Sequence, residues 1–194
     1  MIGLIDYGAG NTASVENVLK QLNVSYKIIK TEYDTLQCEK IILPGVGEAK
    51  YAMKRLAMNN LVNFLRIIKK PILGICLGMQ LFCKKSEESE TACLGIVDCD
   101  VIKFSHELKI PHMGWNAVKF IGESKLLTGI PDNSYFYFAH SYYLPILDST
   151  KGTTEYSLRF SSVIEKDNYY GVQFHPEKSG EYGIKLIKNF LELC

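Results

Sequence analysis

One cysteine stands in a sequence frame that is typical of a catalytic nucleophile. Cys76 lies between Gly74 and Gly78 in the segment GICLG, directly after a short apolar run. In such a frame a sharp strand-to-helix turn lifts one side chain above a sheet, and the glycines avoid Cβ clashes. The positive end of the following helix favours thiolate over thiol. The segment therefore indicates a thiol nucleophile, and the alternative is a small buried cysteine in a tight turn.

A nucleophilic thiol needs a base within reach. The chain contains four histidines, at positions 106, 112, 140 and 175. His175 ends an apolar run, Pro176 favours an extended backbone before it, and Glu177 lies two residues on. In extended geometry the two side chains point the same way, so the carboxylate can hold the imidazole and stabilise its charged form. With Cys76 present, a triad is favoured over a surface His-Pro-Glu turn.

A third segment suits an oxyanion hole. Residues 44–47 read PGVG and follow an apolar run directly. Two glycines allow backbone N–H groups to turn toward a ligand, although most such sequences are simple turns. All three segments follow strands, and the carboxyl ends of parallel strands share one crevice. The three signals therefore reinforce one another.

The elements that must position these residues alternate in the first half of the chain. Apolar runs predict strands at 1–5, 26–29, 41–43 and 72–75, and helical spacing predicts helices at 15–22, 49–68 and 77–83. A turn is expected at 8–11, with Asn11 or Ser14 as a helix cap. Alternation of this kind is typical of a parallel sheet.

The second half of the chain is rich in β-formers. Strands are predicted at 95–104, 115–120, 135–144, 155–165 and 170–174, before a helix at 181–193. We interpret the first four as an antiparallel extension of the same domain. The prediction is an α/β fold in a single domain, 1–194: an open, mostly parallel sheet flanked by helices, with an antiparallel extension.

The amino-acid composition argues against several classes of function. The 194 residues are 47% hydrophobic and 22% charged, with a formal net charge of +1, which argues against nucleic-acid and membrane partners. The start of the chain lacks a basic leader, and no apolar stretch is long enough to span a bilayer. The six cysteines form no C-x-x-C pair. We expect a cytoplasmic protein with no metal and no cofactor, acting on small molecules or on another protein.

These motifs resemble those of the class I glutamine amidotransferases. The resemblance rests on residues 74–80 (GICLGMQ), 44–47 (PGVG) and 174–177 (FHPE). More narrowly, residues 6–8, 110–116 (IPHMGWN), 135–142 (YFYFAHSY) and 171–179 (GVQFHPEKS) resemble the glutaminase subunits of imidazole glycerol phosphate synthases. The match runs over essentially the whole chain. It implies hydrolysis of L-glutamine to glutamate, with ammonia passed to a synthase in histidine biosynthesis.

The resemblance also implies a role for each site residue. Cys76 would be the nucleophile, His175 the acid and base, and Glu177 the group that orients His175. The implied oxyanion donors and glutamine-binding residues are Gly47, Leu77, Gln80, Glu88, Ser141 and Tyr142. For Glu88 the residues alone favour a solvated position, because it lies in the polar run SEESE.

A partner is implied as well. In the family it is a (β/α)₈-barrel cyclase in a 1:1 heterodimer, and the residues matching its docking face are Asn11, Trp115, Tyr137 and Lys178. We read Trp115 as an interface anchor in a polar turn, and a core position is the alternative. The sequence departs from the usual family pattern at 12–13 and 48–50, near surfaces that could meet the partner.

Other functions remain open at this point. A paralogous glutaminase that feeds ammonia to surface-sugar amidation would carry the same triad. A non-catalytic regulatory subunit would usually lack at least one of the three triad residues. A γ-glutamyl peptidase or a hydratase would explain Cys76, but it predicts neither HPE nor the segment PHMGWN.

Overall fold

Strands and helices alternate in the first half of the chain, as the sequence predicts. The computed structural model describes residues 1–8, 11–105 and 109–194, so the predicted turn at 9–10 and His106 lie outside the described residues. The elements in order are β1 (Ile2–Ile5), α1 (Thr12–Gln21), β2 (Tyr26–Ile29), β3 (Lys40–Leu43), α2 (Ala49–Met58), α3 (Leu61–Ile67), β4 (Ile72–Ile75) and α4 (Leu77–Gln80).

The second half is built mainly from strands and closes with one long helix. Its elements are β5 (Lys85–Ser86), β6 (Thr91–Ala92), β7 (Asp100–Lys103), β8 (His112–Phe120), β9 (Ser134–His140), β10 (Tyr142–Tyr143), β11 (Thr150–Tyr156), β12 (Leu158–Lys166), β13 (Tyr169–Val172) and α5 (Gly180–Leu193). Short 3₁₀ turns are found at Glu32–Gln37, Glu88–Glu90 and Pro176–Lys178.

Nine strands form one continuous sheet in the order β2-β1-β3-β4-β13-β12-β11-β8-β9. The pairings from β2 to β13 are parallel, and those from β13 to β9 are antiparallel. The predicted α/β sheet with an antiparallel extension is therefore confirmed. The strand β13 links the two parts, because it pairs in parallel with β4 and antiparallel with β12.

Three strand predictions need correction. The predicted strand 135–144 is interrupted at Ser141, so that β9 and β10 belong to different sheets. The predicted strand 155–165 is part of a hairpin, because Ser157 sits between β11 and β12 with φ of 58°. Serine is a weak marker of a left-handed turn, so the β-rich run appears continuous in sequence. The predicted strand 95–104 shortens to β7 and belongs to a separate four-stranded sheet, in the order β10-β7-β5-β6.

Helices cover both faces of the parallel strands. Alternate side chains of a strand point to opposite faces. Ile5, Ile41 and Leu43 pack in one cluster with the buried residues of α2 and α3. Ile2, Leu4 and Ile42 pack in the other cluster with buried residues of α1 and α5. The carboxyl ends of β3, β4 and β13 therefore lie together between two helical layers.

The turn after β4 depends on close backbone contact at Gly78. A Cβ atom on Gly78 would lie 2.0 Å from the carbonyl oxygen of Leu43, a distance that real Cβ atoms do not reach. We expect Gly78→Ala to lower the free energy of unfolding by about 3 kcal/mol, since the neighbouring strand must shift. Urea unfolding of the variant measures this loss.

Gly122→Ala is the matched control for this substitution. Gly122 has φ of +69° but open space around its Cα, so only the backbone conformation is strained there. Its expected cost is about 1 kcal/mol. Equal unfolding midpoints for the two variants would contradict the close-contact argument.

Candidate active site

Cys76 occupies a strained turn at the carboxyl end of β4. Its backbone has φ of 52° and ψ of −110°, outside the regions that most residues adopt. Its N–H donates to the carbonyl oxygen of Val172 in β13 at 2.8 Å, which fixes the turn against the sheet. The following helix α4 ends at Gln80, earlier than the predicted position 83. The side chain of Cys76 is nevertheless held at the top of the strand, as the glycine frame predicts.

His175 and Glu177 meet just after β13. The two side chains are 3% and 2% exposed, and the Nδ1 atom of His175 lies 2.8 Å from the Oε1 atom of Glu177. His175 itself has extended dihedrals, but Pro176–Lys178 forms a 3₁₀ turn where continued extended geometry is expected from the sequence. The turn still directs the carboxylate to the imidazole. The His175 N–H also donates to the Tyr137 carbonyl at 2.8 Å, which fixes the backbone.

The surroundings of His175 favour its charged form. Burial lowers the pKa of the imidazole, but hydrogen bonds with Cys76 and Glu177 outweigh burial and raise the pKa to about 10. Because Nδ1 is committed to Glu177, Nε2 is the ring atom left for the sulfur. A buried thiol, imidazole and carboxylate therefore lie together in the order Cys76, His175 and Glu177, an arrangement that suits nucleophilic catalysis.

A cavity of about 340 Å³ opens above the sulfur, within the range of small-molecule pockets. The structure brings all of the predicted substrate-binding and oxyanion residues to its wall together with Cys76 and His175; they are Gly47, Leu77, Gln80, Glu88, Ser141 and Tyr142. Glu177 does not line the cavity, which agrees with a supporting position behind His175.

Gly47 and Leu77 place backbone at the cavity wall beside the sulfur. Gly47 has φ of +94° with open space around its Cα, a conformation that glycine adopts at no steric cost. Leu77 is the first residue of α4, and N–H groups in the first turn of a helix have no partner within it. Both positions can therefore present N–H groups to a ligand.

Glu88 is half-buried at the cavity wall. Its carboxylate accepts a hydrogen bond from the N–H of Ala49, at the start of α2, at 2.7 Å. Burial raises the pKa of Glu88, and the Ala49 N–H partly counters this effect. The position differs from the solvated one that the polar run alone favours.

Two further residues contact the site that the sequence analysis does not identify. Gln173 is fully buried, and its Nε2 atom lies 3.6 Å from the Cys76 sulfur. His140 lines the cavity and contacts the Tyr142 carbonyl through Nδ1 at 2.7 Å. The sequence does contain a signal for Gln173: it is a polar residue inside an apolar predicted strand, two positions before His175.

Of the predicted docking residues, Lys178 lines the cavity, and Trp115 and Tyr137 are joined to it by ring contacts. Trp115 is 56% exposed in β8, opposite Tyr137 in β9, with the ring centroids 6.2 Å apart. It lies in a strand and not in the polar turn expected from its neighbours, since residues 112–118 pair along β9. The ammonium of Lys178 lies 5.9 Å from the centroid of the Tyr137 ring.

Asn11 approaches this face from α1. It precedes the helix as its N-cap residue, but its side chain makes no capping hydrogen bond within the described residues. The predicted capping role is therefore not found. Helix α1, which Asn11 directly precedes, contacts the turn Pro176–Lys178.

Neither a membrane span nor a metal centre is found in the part of the chain that the structure describes. Within residues 1–8, 11–105 and 109–194, no helix is long and apolar enough to cross a membrane. The same residues contain no group of three or more His, Cys, Asp or Glu side chains arranged to hold a metal ion.

Comparison with known protein sequences gives one family and close relatives. Residues 3–194 match the family model for glutamine amidotransferase class-I. The imidazole glycerol phosphate synthase subunit HisH of Bacteroides fragilis is 46% identical over 195 residues, which cover 99% of each chain. The subunit of the same name from Methanocaldococcus jannaschii is 48% identical over 196 residues and 100% of each chain.

Solved structures share the fold at low sequence identity. A glutamine amidotransferase crystal structure superposes with a TM-score of 0.78 at 16% identity, covering 99% of this chain and 97% of that chain. The PurLQS structure from Thermotoga maritima gives a TM-score of 0.73 at 18% identity, covering 98% and 96%. At such identities these two matches support the fold alone.

Proposed function

This chain belongs to the class-I glutamine amidotransferase family, and from that premise we propose that it is the glutaminase subunit of imidazole glycerol phosphate synthase. It would hydrolyse L-glutamine to glutamate and supply ammonia to a cyclase partner in histidine biosynthesis. Identity of 46% and 48% over essentially the full length of two such subunits supports this function. The observation that carries it is the buried Cys76–His175–Glu177 arrangement beside the cavity.

In the proposed reaction the Cys76 thiolate attacks the side-chain amide carbon of glutamine. A carbon–sulfur bond forms, and the carbonyl oxygen takes the negative charge of a tetrahedral adduct. The N–H groups of Gly47 and Leu77 are the donors that would stabilise this oxyanion. They are fixed by the backbone, so little reorganisation is needed as the charge develops.

Collapse of the adduct requires a proton for the leaving group. His175, charged because its pKa is raised, donates its Nε2 proton to the departing nitrogen, and ammonia and a γ-glutamyl thioester result. The neutral imidazole then takes a proton from water, which attacks the thioester. Glutamate leaves and the thiolate–imidazolium pair is restored.

The cavity wall accounts for recognition of a free amino acid. The half-buried Glu88 carboxylate supplies negative charge for the substrate ammonium group. Ser141 and Tyr142 line the same cavity, and main-chain groups around them would bind the carboxylate. Gln80 adds a buried amide at the same wall.

We propose a (β/α)₈-barrel cyclase in a 1:1 complex as the partner, docked on the face with Asn11, Trp115, Tyr137 and Lys178. Trp115 is exposed and packs edge-on against the half-buried Tyr137, an arrangement that is typical of an interface anchor. Free ammonia would be protonated in water and lost as a nucleophile. A docked acceptor prevents that loss.

The test measures glutamine hydrolysis by this chain alone and with the barrel subunit and its nucleotide ligand. We expect turnover to rise at least about tenfold on complex formation, a coupling of about 1.4 kcal/mol between docking and the transition state. The isolated barrel subunit is the blank.

Two outcomes would revise the proposal. Full activity of the isolated chain that does not change with the partner would contradict gating. Activation by a sugar-amidating partner, and not by the cyclase, would keep the chemistry and change the pathway.

A further inference from the structure

The side chain of Gln173 touches the reacting sulfur but has no part in the mechanism above. It is fully buried at the end of β13, and its Nε2 atom lies 3.6 Å from the Sγ atom of Cys76. Its Oε1 atom accepts a hydrogen bond of 3.0 Å from the Nε2 atom of Gln80. Buried side-chain amides are usually hydrogen-bonded, so the role of Gln173 is to be sought in these contacts.

The orientation of the Gln173 amide follows from its partners. The Nε2 atom of Gln80 lies 3.0 Å from the Tyr142 carbonyl oxygen and 3.0 Å from Gln173. A carbonyl oxygen only accepts, so the Gln80 atom facing it must be the nitrogen. Gln173 must then present its oxygen to Gln80 and its nitrogen to the sulfur. The reversed amide would set two N–H donors against each other and an oxygen against a thiolate.

The hydrogen-bond chain continues away from the sulfur. The Tyr142 carbonyl also accepts from Nδ1 of His140 at 2.7 Å, so Nε2 of His140 is an acceptor. That atom lies 3.0 Å from Nδ1 of His112, which must therefore donate. Nε2 of His112 in turn accepts from Nδ2 of Asn116 at 3.2 Å.

The imidazole rings of His112 and His140 in this hydrogen-bond network are both neutral. Burial lowers the pKa of His112 to about 4 and that of His140 to about 3. Each ring then has one donor and one acceptor, and every hydrogen bond between Asn116 and the sulfur has one defined donor, with the Tyr142 carbonyl accepting from both His140 and Gln80. A network with one arrangement of protons holds its members rigidly.

We propose that Gln173 is a further catalytic residue of the glutaminase, an inference that rests on the proposed function. Its amide N–H donates to the Cys76 thiolate, and the hydrogen bonds through Gln80 and Tyr142 hold this amide in place. The sulfur is negative before attack and again when the thioester breaks. A donor at 3.6 Å stabilises both of those states more than the neutral thioester between them.

The test is the rate of Cys76 alkylation by iodoacetamide across pH, with the modified peptide measured by mass spectrometry. The thiolate displaces iodide and forms a thioether, so the rate reports the thiolate fraction directly. In Gln173→Met, which keeps the volume without the donor, we expect the midpoint of the profile to move up by about one pH unit. We also expect kcat for glutamine in the complex to fall about tenfold, with KM nearly unchanged.

A second variant and a control make the test decisive. Gln173→Glu keeps the oxygen that accepts from Gln80 but sets a carboxylate against the sulfur, so its midpoint should move further than that of Gln173→Met. Asn189→Leu removes another buried amide, whose Nδ2 atom donates to Leu126 and Thr128, and should lower stability without moving the midpoint.

The outcomes separate this inference from the proposed function. A wild-type midpoint in folded Gln173→Met or Gln173→Glu overturns the role of Gln173. Absence of glutamine hydrolysis in the wild-type complex overturns the glutaminase proposal, whatever the alkylation profiles show.

Discussion

Replacing Cys76 by serine should lower glutamine turnover by about 10⁴- to 10⁶-fold, the range found when a covalent nucleophile is removed. A serine hydroxyl is far less acidic than a thiol, so His175 cannot form the ion pair that the cysteine allows. The turn should persist, because serine tolerates the left-handed φ of 52° as well as cysteine does. Steady-state glutamine hydrolysis in the partner complex measures the loss.

Cys38→Ser is the matched control for that substitution. Cys38 is also buried, but it packs in the cluster with α2 and α3 and does not line the cavity. Its variant should lose some stability and keep normal turnover. Glutamine binding to Cys76→Ser, measured by calorimetry, should persist because the cavity wall is intact. Near-normal turnover in Cys76→Ser would refute the assignment of the nucleophile.

The sequence predicts most of what brings the site together, for a topological reason. Cys76, His175 and the segment 44–47 each follow an apolar run, and the runs prove to contain β4, β13 and β3, adjacent strands of the parallel sheet. Because the carboxyl ends of such strands share one edge, the three segments converge before any side-chain geometry is known. Glycines at fixed offsets from Cys76 add the turn itself.

The rest of the site depends on packing that spacing does not encode. Gln173 directly follows β13 and His140 ends β9, and only the three-dimensional contacts show which of their polar atoms face each other. Glu88 belongs to a polar run, so the residues alone favour solvent, and only the contact with the N–H of Ala49 places it at the cavity. Trp115 is flanked by glycine and asparagine, and pairing with β9 extends it into a strand.

The same limit applies to the β-rich half of the chain. The hairpin at Ser157 has no glycine or Asn-Gly pair to mark its turn, and its flanking residues are good strand formers on both sides. The small sheet containing β7 and β10 joins segments about 40 residues apart in the chain. Long-range pairing of this kind is set by the competition between whole strands, which local patterns do not resolve.

Glu177→Gln should lower glutamine turnover by about 10²- to 10⁴-fold while leaving the sulfur in place. The 2.8 Å contact between Nδ1 of His175 and Oε1 of Glu177 fixes the ring and stabilises its charge. The neutral amide of glutamine at this position lacks the negative charge of the carboxylate. It can also present its NH₂ group to the protonated Nδ1 atom of His175. His175 is then less able to stay charged for the protonation of ammonia, so kcat falls more than KM rises. Glutamine hydrolysis in the partner complex measures both constants.

The pH dependence of stability gives this prediction a second readout. The pKa of His175 rises from 6.5 to about 10 in the folded chain, so the charged ring stabilises the fold fully below pH 6.5 and loses that effect as pH rises through 10. Glu177→Gln removes one cause of the raised His175 pKa. The variant should therefore unfold at a lower temperature than the wild type, most clearly below pH 6.5. The gap in melting temperature should shrink between pH 6.5 and 10. Glu181→Gln, an exposed carboxylate in the first turn of α5, controls for the lost charge. A gap that stays constant over this range would show that Glu177 acts through packing and not through the charge on His175.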